Sequence, residues 1–230
     1  GNLAWSRGGA KLGGTAGFGS DAACMSQNDD GSSPSIDIRP YFGMGLRFFS
    51  ATPHTSLFEL AATHGGVADE WHTDLTFRPD PSVLSILQMK RCPPVGGDTL
   101  WANLHAAYDE LSAPMQSLCD GLTALHDATP HNHPEQATIH PVVRTHPETG
   151  RKALYVNEHF TRRLVELNAG ESRVLLDYLT QWVTQPRFTI RYRWTEGTVA
   201  IWDNRCTQHF VVNDFEGERI IHRVTVMGDH

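Results

Sequence analysis

The chain has 230 residues, of which 40% are hydrophobic and 20% charged, and its 19 lysines and arginines against 26 aspartates and glutamates give a formal charge of −7. This length favours one domain with a sizeable core. The negative balance argues against a nucleic-acid partner, because phosphate backbones are bound by surplus lysine and arginine. A membrane span needs roughly 18 consecutive apolar residues, and the longest comparable run, Val83 to Met89, is far shorter and contains Ser85 and Gln88. We therefore expect a soluble protein without a nucleic-acid or membrane partner.

The four cysteines, Cys24, Cys92, Cys119 and Cys206, are scattered, and no two of them have zinc-ribbon or redox spacing. The N-terminus lacks the apolar core and small-residue cleavage site of a secretory signal. Both observations favour a cytoplasmic protein in which the four cysteines are reduced, with two disulfides as the alternative. The 13 histidines leave room for a metal site.

In chain order, the first segment to stand out is residues 1–35. It carries 8 of the 20 glycines and many serines, and it shows no clear periodicity, which is typical of loops or a mobile arm. We predict an irregular N-terminal segment over residues 1–35 and a single globular domain over residues 36–230.

Several short stretches of the globular part predict β-strands. Ser82–Lys90 is an apolar run that follows a proline and ends before two more. From Phe188 to Trp194, apolar and polar side chains alternate with the period of a half-buried strand. Gly197–Asp203 and Ile220–Met227 are further stretches containing β-branched residues.

Apolar residues at helical spacing predict three helices, over Asn103–Leu111, Pro114–Leu125 and Glu171–Gln185, with Asn168 as the cap of the last. Strands and helices do not alternate in the βαβ rhythm of a parallel sheet. The pattern therefore predicts a mainly β fold with flanking helices, an antiparallel sandwich or jelly roll.

The residues that carry chemistry are centred on the segment from Glu70 to Phe77. His72 and Asp74 lie two residues apart, so on an extended strand both side chains point to the same face. A His-x-Asp pair alone is common, and it is more often a hydrogen-bonded surface pair than a ligand set. A third ligand is available in His209, and two histidines with one carboxylate leave about three positions open on an octahedral ion, which suits Fe(II) oxygen chemistry.

The motifs that accompany His72 and Asp74 in the sequence strengthen the hypothesis of an iron site. The sequence contains WHTDLTF at 71–77, GGDTLW at 96–101 and WDNRCTQH at 202–209, followed by Arg219 and Arg223. In this order and wording, the stretch from His54 to Gly228 resembles the taurine dioxygenase-like (TauD/TfdA) family of Fe(II)- and 2-oxoglutarate-dependent dioxygenases. The resemblance implies a double-stranded β-helix, or jelly roll, as the fold of the domain.

The resemblance also implies a role for each motif residue. His72, Asp74 and His209 would be the iron ligands, and Thr99 and Arg219 would hold the distal carboxylate of 2-oxoglutarate, since a guanidinium pairs with a carboxylate through two parallel hydrogen bonds. The implied reaction is the oxidation of a substrate C–H bond by O2, with 2-oxoglutarate converted to succinate and CO2.

Substrate residues are less well defined. Arg223 would lie near the iron-bound end, where an anionic substrate group or the keto-acid carboxylate is held. His54 matches a histidine that relatives acting on sulfonates place near the substrate. Asn157 is a further candidate, for which a structural role is the favoured interpretation. Ala68 stands where taurine-specific relatives carry an asparagine, which argues against taurine itself. We expect a small, acidic substrate.

Two regions depart from the family pattern. Residues 126–140 are shorter than the lid that most relatives carry there, which implies a more open pocket, and residues 1–50 match the family poorly. The chain either differs from its relatives at these places or lacks pieces of a longer protein. The resemblance further suggests a homodimer or homotetramer.

Two other function classes stay open. A zinc hydrolase could use the same two histidines and carboxylate, but hydrolysis would need neither Thr99 nor Arg219. A non-catalytic jelly-roll binding protein would have no need of an intact ligand set.

Overall fold

The computed structural model describes residues 55–64 and 68–228, which contain twelve strands and three α-helices. The strands are β1 (Thr55–His64), β2 (Ser82–Arg91), β3 (Thr99–Asn103), β4 (Thr123–Ala128), β5 (His133–Pro141), β6 (Val143–Thr145), β7 (Lys152–Leu154), β8 (Thr161–Leu164), β9 (Thr189–Tyr192), β10 (Val199–Asp203), β11 (Thr207–Val211) and β12 (Glu216–Met227). The helices are α1 (Leu104–Asp109), α2 (Ala113–Asp120) and α3 (Ala169–Val183). The fold is mainly β with flanking helices, as predicted.

Two antiparallel sheets carry the candidate site. One has the strand order β1-β12-β2-β10, and the other has the order β11-β3-β9. Met89 and Trp202 from the first sheet pack with Trp101 from the second in one buried cluster. The sheets therefore face each other across an apolar layer, as in a double-stranded β-helix or jelly roll.

The strand predictions are confirmed with small changes of length. The predicted strands at Ser82–Lys90, Gly197–Asp203 and Ile220–Met227 correspond to β2, β10 and β12. The stretch from Phe188 to Trp194 forms only the four residues of β9, because its partner β3 begins at Thr99, which is paired with Tyr192. Among the described residues, no strand pairs with Arg193 or Trp194.

Two of the helix predictions are also confirmed. α3 begins after Asn168, whose side chain accepts hydrogen bonds from the backbone N–H groups of Gly170 and Glu171, while the Glu171 side chain accepts from the backbone N–H of Asn168. This reciprocal capping box satisfies donors that the first helical turn leaves unpaired. α1 begins in the same way after Asn103, whose side chain accepts from two backbone N–H groups.

The prediction of a helix over Pro114–Leu125 is wrong at its C-terminal end. α2 ends at Asp120, and the chain then forms β4, in which Ala124, His126 and Ala128 are buried and the residues between them are less so. That period of two suits a strand, and β4 pairs with β5 and β8. Tertiary pairing has thus overridden local helical spacing.

The short segment 126–140, expected as a reduced lid, is most of a β-hairpin. β4 and β5 are joined by a 3₁₀ turn over Thr129–His131, followed by Asn132 in the left-handed conformation at φ +61°. The helices pack with β6, β7 and β8 around a second apolar cluster, which includes Leu104, Leu154, Leu164 and Leu179. Among the residues described, no helix combines the length and the apolar character that a membrane crossing requires.

Candidate active site

The structure brings His72, Asp74 and His209 together, as the sequence predicted. His72 and His209 form a backbone bridge, with N–H···O distances of 3.1 and 2.8 Å, and Thr73 Oγ1 donates to the carbonyl of Thr207 at 2.8 Å. These contacts fix the WHTDLTF segment against β11. Asp74 Oδ1 lies 3.8 Å from His72 Nε2 and 3.7 Å from His209 Nε2, and all three residues are buried.

The two-residue spacing of His72 and Asp74 had suggested a regular strand. Their side chains instead come together without one. His72 makes only the isolated bridge, and the chain turns from Asp74 to Phe77, with Leu75 at φ +58°. A non-glycine residue rarely adopts this left-handed conformation, and such residues are often found at functional sites. The turn carries the chain away immediately after the last ligand candidate.

Both imidazoles are suited to metal binding at neutral pH. His72 Nδ1 lies 2.7 Å from the carbonyl oxygen of Glu70, which can only accept, so Nδ1 carries the proton and Nε2 presents its lone pair. Burial lowers the pKa of His72 in spite of the nearby Asp74 carboxylate, and burial followed by the charge of His72 lowers the pKa of His209 well below its usual range. Neutral histidines are the form that binds metals.

Asp74 is held from both sides by hydrogen bonds. Ser85 Oγ donates to Oδ2 at 2.5 Å, and Arg223 Nη2 lies 2.6 Å from Oδ1. Burial alone would raise the pKa of Asp74, but the positive charge of Arg223, with His209 and His72, holds it well below its usual range. Asp74 is therefore a carboxylate near neutral pH.

Thr99 and Arg219 lie at a second polar position. Thr99 Oγ1 accepts a hydrogen bond from Trp194 Nε1 at 2.9 Å, which leaves its own proton available to a ligand. Arg219 is only 6% exposed, its Nε donates to the carbonyl of Gly97 at 3.2 Å, and its Nη2 is buried without a hydrogen-bond partner in the described part of the chain. Burial lowers the pKa of this guanidinium. A buried, unpaired guanidinium is costly unless a ligand pairs with it.

The two glycines before Thr99 make room for this arrangement. Gly96 and Gly97 have φ of +79° and +69°, in the left-handed region that favours glycine. A Cβ on Gly96 would lie 2.3 Å from the carbonyl oxygen of Asp214, and a Cβ on Gly97 would lie 3.2 Å from Nε of Arg219. The Asp214 carboxylate also accepts from the backbone N–H of Gly97 at 2.9 Å. The GGDT segment is thereby shaped around Arg219.

Arg223 reaches the metal-ligand end of the site from the same strand as Arg219. In addition to its contact with Asp74, its Nε is buried and makes no hydrogen bond to any described residue. Asp74 Oδ1 also faces both imidazoles, so a metal ion bound there would compete with Arg223 for this oxygen. The guanidinium is thus placed to turn to an anionic ligand instead.

Of the other two predicted substrate residues, the structure describes Asn157 alone. His54 lies outside the described residues. Asn157 is 1% exposed, its amide nitrogen donates to Thr76 Oγ1 at 3.2 Å, and its amide oxygen accepts from the backbone N–H of Phe160 at 2.8 Å. These contacts fix a turn and favour the structural interpretation of Asn157.

Sequence reasoning missed two features of the site. The first is Ser85, noted only as an interruption of an apolar run, although a polar residue in the buried part of a strand is itself an indication of a buried partner. The second is His159, whose ring centroid lies 5.5 Å from that of His72 and whose Nδ1 lies 2.6 Å from Glu70 Oε2. No motif marks His159, because only the fold brings it to the site.

A second buried group with the residue types of metal ligands contains His146, Asp203 and Cys206. Cys206 is disulfide-bonded, contrary to the expectation of reduced cysteines, and its sulfur is therefore not available to a metal. His146 Nδ1 accepts from the backbone N–H groups of Glu148 and Thr149, so Nε2 carries the proton and donates to Asp203 Oδ2 at 3.0 Å. Arg205 also contacts the Asp203 carboxylate, at 2.5 Å. The Asp203 carboxylate is thus already paired with His146 and Arg205, which favours a structural role for this group.

The fold and the first group define a jelly-roll protein with two histidines and one carboxylate at its centre. The sequence profile of the Taurine catabolism dioxygenase TauD, TfdA family matches residues 32–225. The chain therefore belongs to this family.

Comparison with individual proteins also finds dioxygenases of this kind among the similar sequences and structures. The chain is 39% identical over 194 residues to an alkylsulfatase of Acinetobacter baylyi and 40% identical over 194 residues to an alpha-ketoglutarate-dependent sulfate ester dioxygenase of Pseudomonas putida. Both matches cover 75% of this chain, and they cover 61% and 64% of the two relatives, so the chain spans less than two thirds of their length. The crystal structure of a taurine dioxygenase from Burkholderia xenovorans matches with a TM-score of 0.69 and 38% identity, covering 84% of this chain and 69% of that one.

Proposed function

We propose that the protein is an Fe(II)- and 2-oxoglutarate-dependent dioxygenase that oxidises a C–H bond of a small anionic molecule and releases succinate and CO2. The observation that carries this proposal is the combination of the His72–Asp74–His209 group with the buried, unpaired guanidinium of Arg219. The family membership supports it, since the relatives that bear the name alpha-ketoglutarate-dependent dioxygenase use 2-oxoglutarate.

The three ligand candidates fit Fe(II) by their chemistry. Two neutral imidazole nitrogens and one carboxylate oxygen are the donor set of the facial triad of non-haem iron oxygenases, which leaves positions for other ligands. His72, Asp74 and His209 would hold the ion, and the bound iron would supply the activation of O2 that the oxidation requires. Burial of all three residues limits the access of water to this position.

Thr99 and Arg219 would bind and orient 2-oxoglutarate. The Arg219 guanidinium can pair with a carboxylate through parallel hydrogen bonds, and the Thr99 hydroxyl adds one more donor. Because Arg219 already lies buried and is held by the Gly97 carbonyl, little conformational freedom is lost on binding. Hydrolysis would have no use for such a carboxylate site, and a non-catalytic binding protein would have no need of an intact metal-ligand group.

Arg223 supports an anionic substrate or a second contact to the keto acid. It is the one arginine that contacts Asp74 in the described structure, and its side chain is 21% exposed, so it borders solvent. The relatives named for sulfate esters and taurine act on molecules that carry a sulfate or sulfonate group. Alkyl sulfates, sulfonates and aryloxyalkanoates are accordingly the first substrates to test.

The test begins with metal-free protein under anaerobic conditions, to which Fe(II) and 2-oxoglutarate are added. A visible metal-to-ligand charge-transfer band is expected for the wild type and not for the His72→Ala variant. Succinate release in air then screens the acidic substrates. Iron binding without the band would contradict the 2-oxoglutarate site, and hydrolysis of a substrate in the absence of both O2 and 2-oxoglutarate would favour the zinc hydrolase.

Arg219→Lys separates the co-substrate site from the metal site. The ammonium keeps the charge but loses the bidentate geometry, so we expect iron binding to persist while the concentration of 2-oxoglutarate needed for half of the band rises about 10- to 100-fold, as for the loss of one charge-assisted hydrogen bond. An unchanged 2-oxoglutarate titration would remove Arg219 from the proposed site.

A further inference from the structure

A buried chain of hydrogen bonds leads from Asp74 into the sheet behind it. Ser85 Oγ donates to Asp74 Oδ2 at 2.5 Å, and Asn204 Nδ2 donates to Ser85 Oγ at 2.8 Å. Asn204 Oδ1 in turn accepts from Trp202 Nε1 at 2.9 Å. All four residues are 3% exposed or less. Because Asn204 Nδ2 can only donate to the serine oxygen and the Asp74 carboxylate can only accept, the hydroxyl proton is directed to Asp74.

The consequence for Asp74 is that its two oxygens have different tasks. Oδ2 is occupied by the Ser85 hydroxyl, while Oδ1 faces the Nε2 atoms of His72 and His209 at 3.8 and 3.7 Å and is contacted by Arg223, which a bound metal would displace. A carboxylate with one oxygen tied in this way offers a metal the other oxygen alone. One-oxygen coordination keeps more positions open for the keto acid and O2 than two-oxygen coordination would.

The side-chain amide of Asn204 is also connected to His209, through Trp202. Asn204 fixes the Trp202 indole, and the ring of Trp202 lies 4.9 Å from that of His209, measured between centroids. Asn204 belongs to the turn between β10 and β11, directly before the strand that carries His209. The position of one ligand is thereby linked to the orientation of another.

We propose that Ser85 is a positioning residue that holds Asp74 as a one-oxygen metal ligand, and that Asn204 acts through Ser85 by setting the direction of its hydroxyl. This inference rests on the proposed function, since it assumes that Asp74 binds a metal. Outer hydrogen bonds of this kind usually change metal affinity by 10- to 100-fold when they are removed.

The chain offers a matched control in Ser82. This residue lies on the same strand, is 1% exposed, and accepts a hydrogen bond from the same Asn204 Nδ2 at 2.8 Å, but its own hydroxyl donates to the carbonyls of Leu84 and Val226. Ser82→Ala and Ser85→Ala therefore remove equivalent atoms from equivalent surroundings, and only Ser85→Ala removes a contact to Asp74.

The experiment titrates the metal-free proteins with Co(II), followed by the visible absorption bands of the ion, without 2-oxoglutarate or turnover. We expect Ser85→Ala to weaken Co(II) binding about 10- to 100-fold and to alter the bands, and Ser82→Ala to change the affinity less than about 3-fold. Wild-type affinity and bands in Ser85→Ala, or an equal loss in Ser82→Ala, would overturn the proposal. Failure of the wild type itself to bind Co(II) would instead contradict the proposed function.

Should Ser85→Ala fail to fold, Ser85→Thr and Ser85→Val give a second comparison. The two side chains have nearly the same shape, and only threonine keeps the hydroxyl. Tighter Co(II) binding by the threonine variant supports the proposal, and equal affinities overturn it.

The role of Asn204 is tested by adding Asn204→Ala to the Ser85→Ala background. If Asn204 acts through Ser85, its substitution should cost less affinity in this background than in the wild type, whereas full additivity would overturn its part.

Discussion

The described part of the chain contains two buried groups of histidine and aspartate, and they differ in what joins their atoms. In the group of His72, Asp74 and His209, the imidazole Nε2 atoms stand 3.7 to 3.8 Å from the carboxylate oxygen, beyond hydrogen-bond distance. In the other group, His146 donates directly to Asp203 at 3.0 Å. In the first arrangement no hydrogen bond joins the imidazoles to the carboxylate, while in the second a proton lies between His146 and Asp203.

The difference shows that nearness of histidine and aspartate does not by itself define a metal site. The hydrogen bonds of Nδ1 decide whether Nε2 is free to bind a metal. His72 Nδ1 donates to a carbonyl, which leaves a lone pair on Nε2. His146 Nδ1 accepts from backbone N–H groups, so that the proton is on Nε2. Arg205 further neutralises Asp203. We therefore assign the first group to ligand binding and the second to holding the turn before β11.

The largest expected effect separates these two histidines directly. His209→Ala removes a proposed ligand and should weaken Co(II) binding by more than about 1,000-fold, since removing a metal ligand costs more than the 10- to 100-fold of an outer contact. His146→Ala should leave Co(II) affinity within about 3-fold of the wild type, because its nitrogens are already used. Titration of both metal-free variants decides this, and a large loss of affinity in His146→Ala would contradict our assignment.

The second prediction concerns the stability that the His146–Asp203–Arg205 link provides. Asp203→Asn keeps the shape of the side chain but leaves the mostly buried Arg205 guanidinium without its main counter-charge, so the free energy of unfolding should fall by about 3 kcal/mol or more. Urea unfolding of the metal-free protein measures it. A loss below about 1 kcal/mol would place this pair among the weak surface pairs.

Another buried histidine, His126, contacts Thr76 Oγ1 and Thr161 Oγ1, and no described carboxylate hydrogen-bonds to it. Burial, with the nearby His140, lowers its pKa to about 3. Between the unfolded pKa near 6.5 and this value, the unfolded chain binds a proton that the folded chain does not. The free energy of unfolding should therefore fall with acidification, by about 1.4 kcal/mol per pH unit from this residue.

Urea unfolding between pH 7 and 4 tests this expectation. His126→Gln should reduce the dependence of the unfolding free energy on pH by about one proton. Equal pH profiles for wild type and His126→Gln would show that His126 is not buried in its neutral form.

The smallest expected effect is at an exposed acid–base pair. Asp109 and Arg151 lie 2.7 Å apart with half-exposed side chains, and Asp109→Asn should lower the free energy of unfolding by less than about 1 kcal/mol, because solvent screens the pair. The same urea titration measures it. A loss as large as that in Asp203→Asn would remove the distinction between buried and exposed pairs.

Much of the fold could be predicted where the local pattern and the tertiary environment agree. The helix cap at Asn168 and the β-branched stretch that forms β10 lie in such places, and both predictions are confirmed. The failure at residues 123–125 has the opposite cause, since helical spacing continues past Gly121 while the neighbouring strands β5 and β8 supply hydrogen bonds only to an extended chain.

The sequence by itself determined the family, the jelly-roll class and the chemical types of the site residues, because these depend on motifs with fixed order and spacing. Only the tertiary structure decided which atoms face each other. The unpaired nitrogen of Arg219, the hydroxyl of Ser85 on Asp74 and the proton on His146 result from contacts between residues far apart in the chain. Hydrogen bonds and burial act over a few ångströms in space, and spacing along a sequence does not specify such distances.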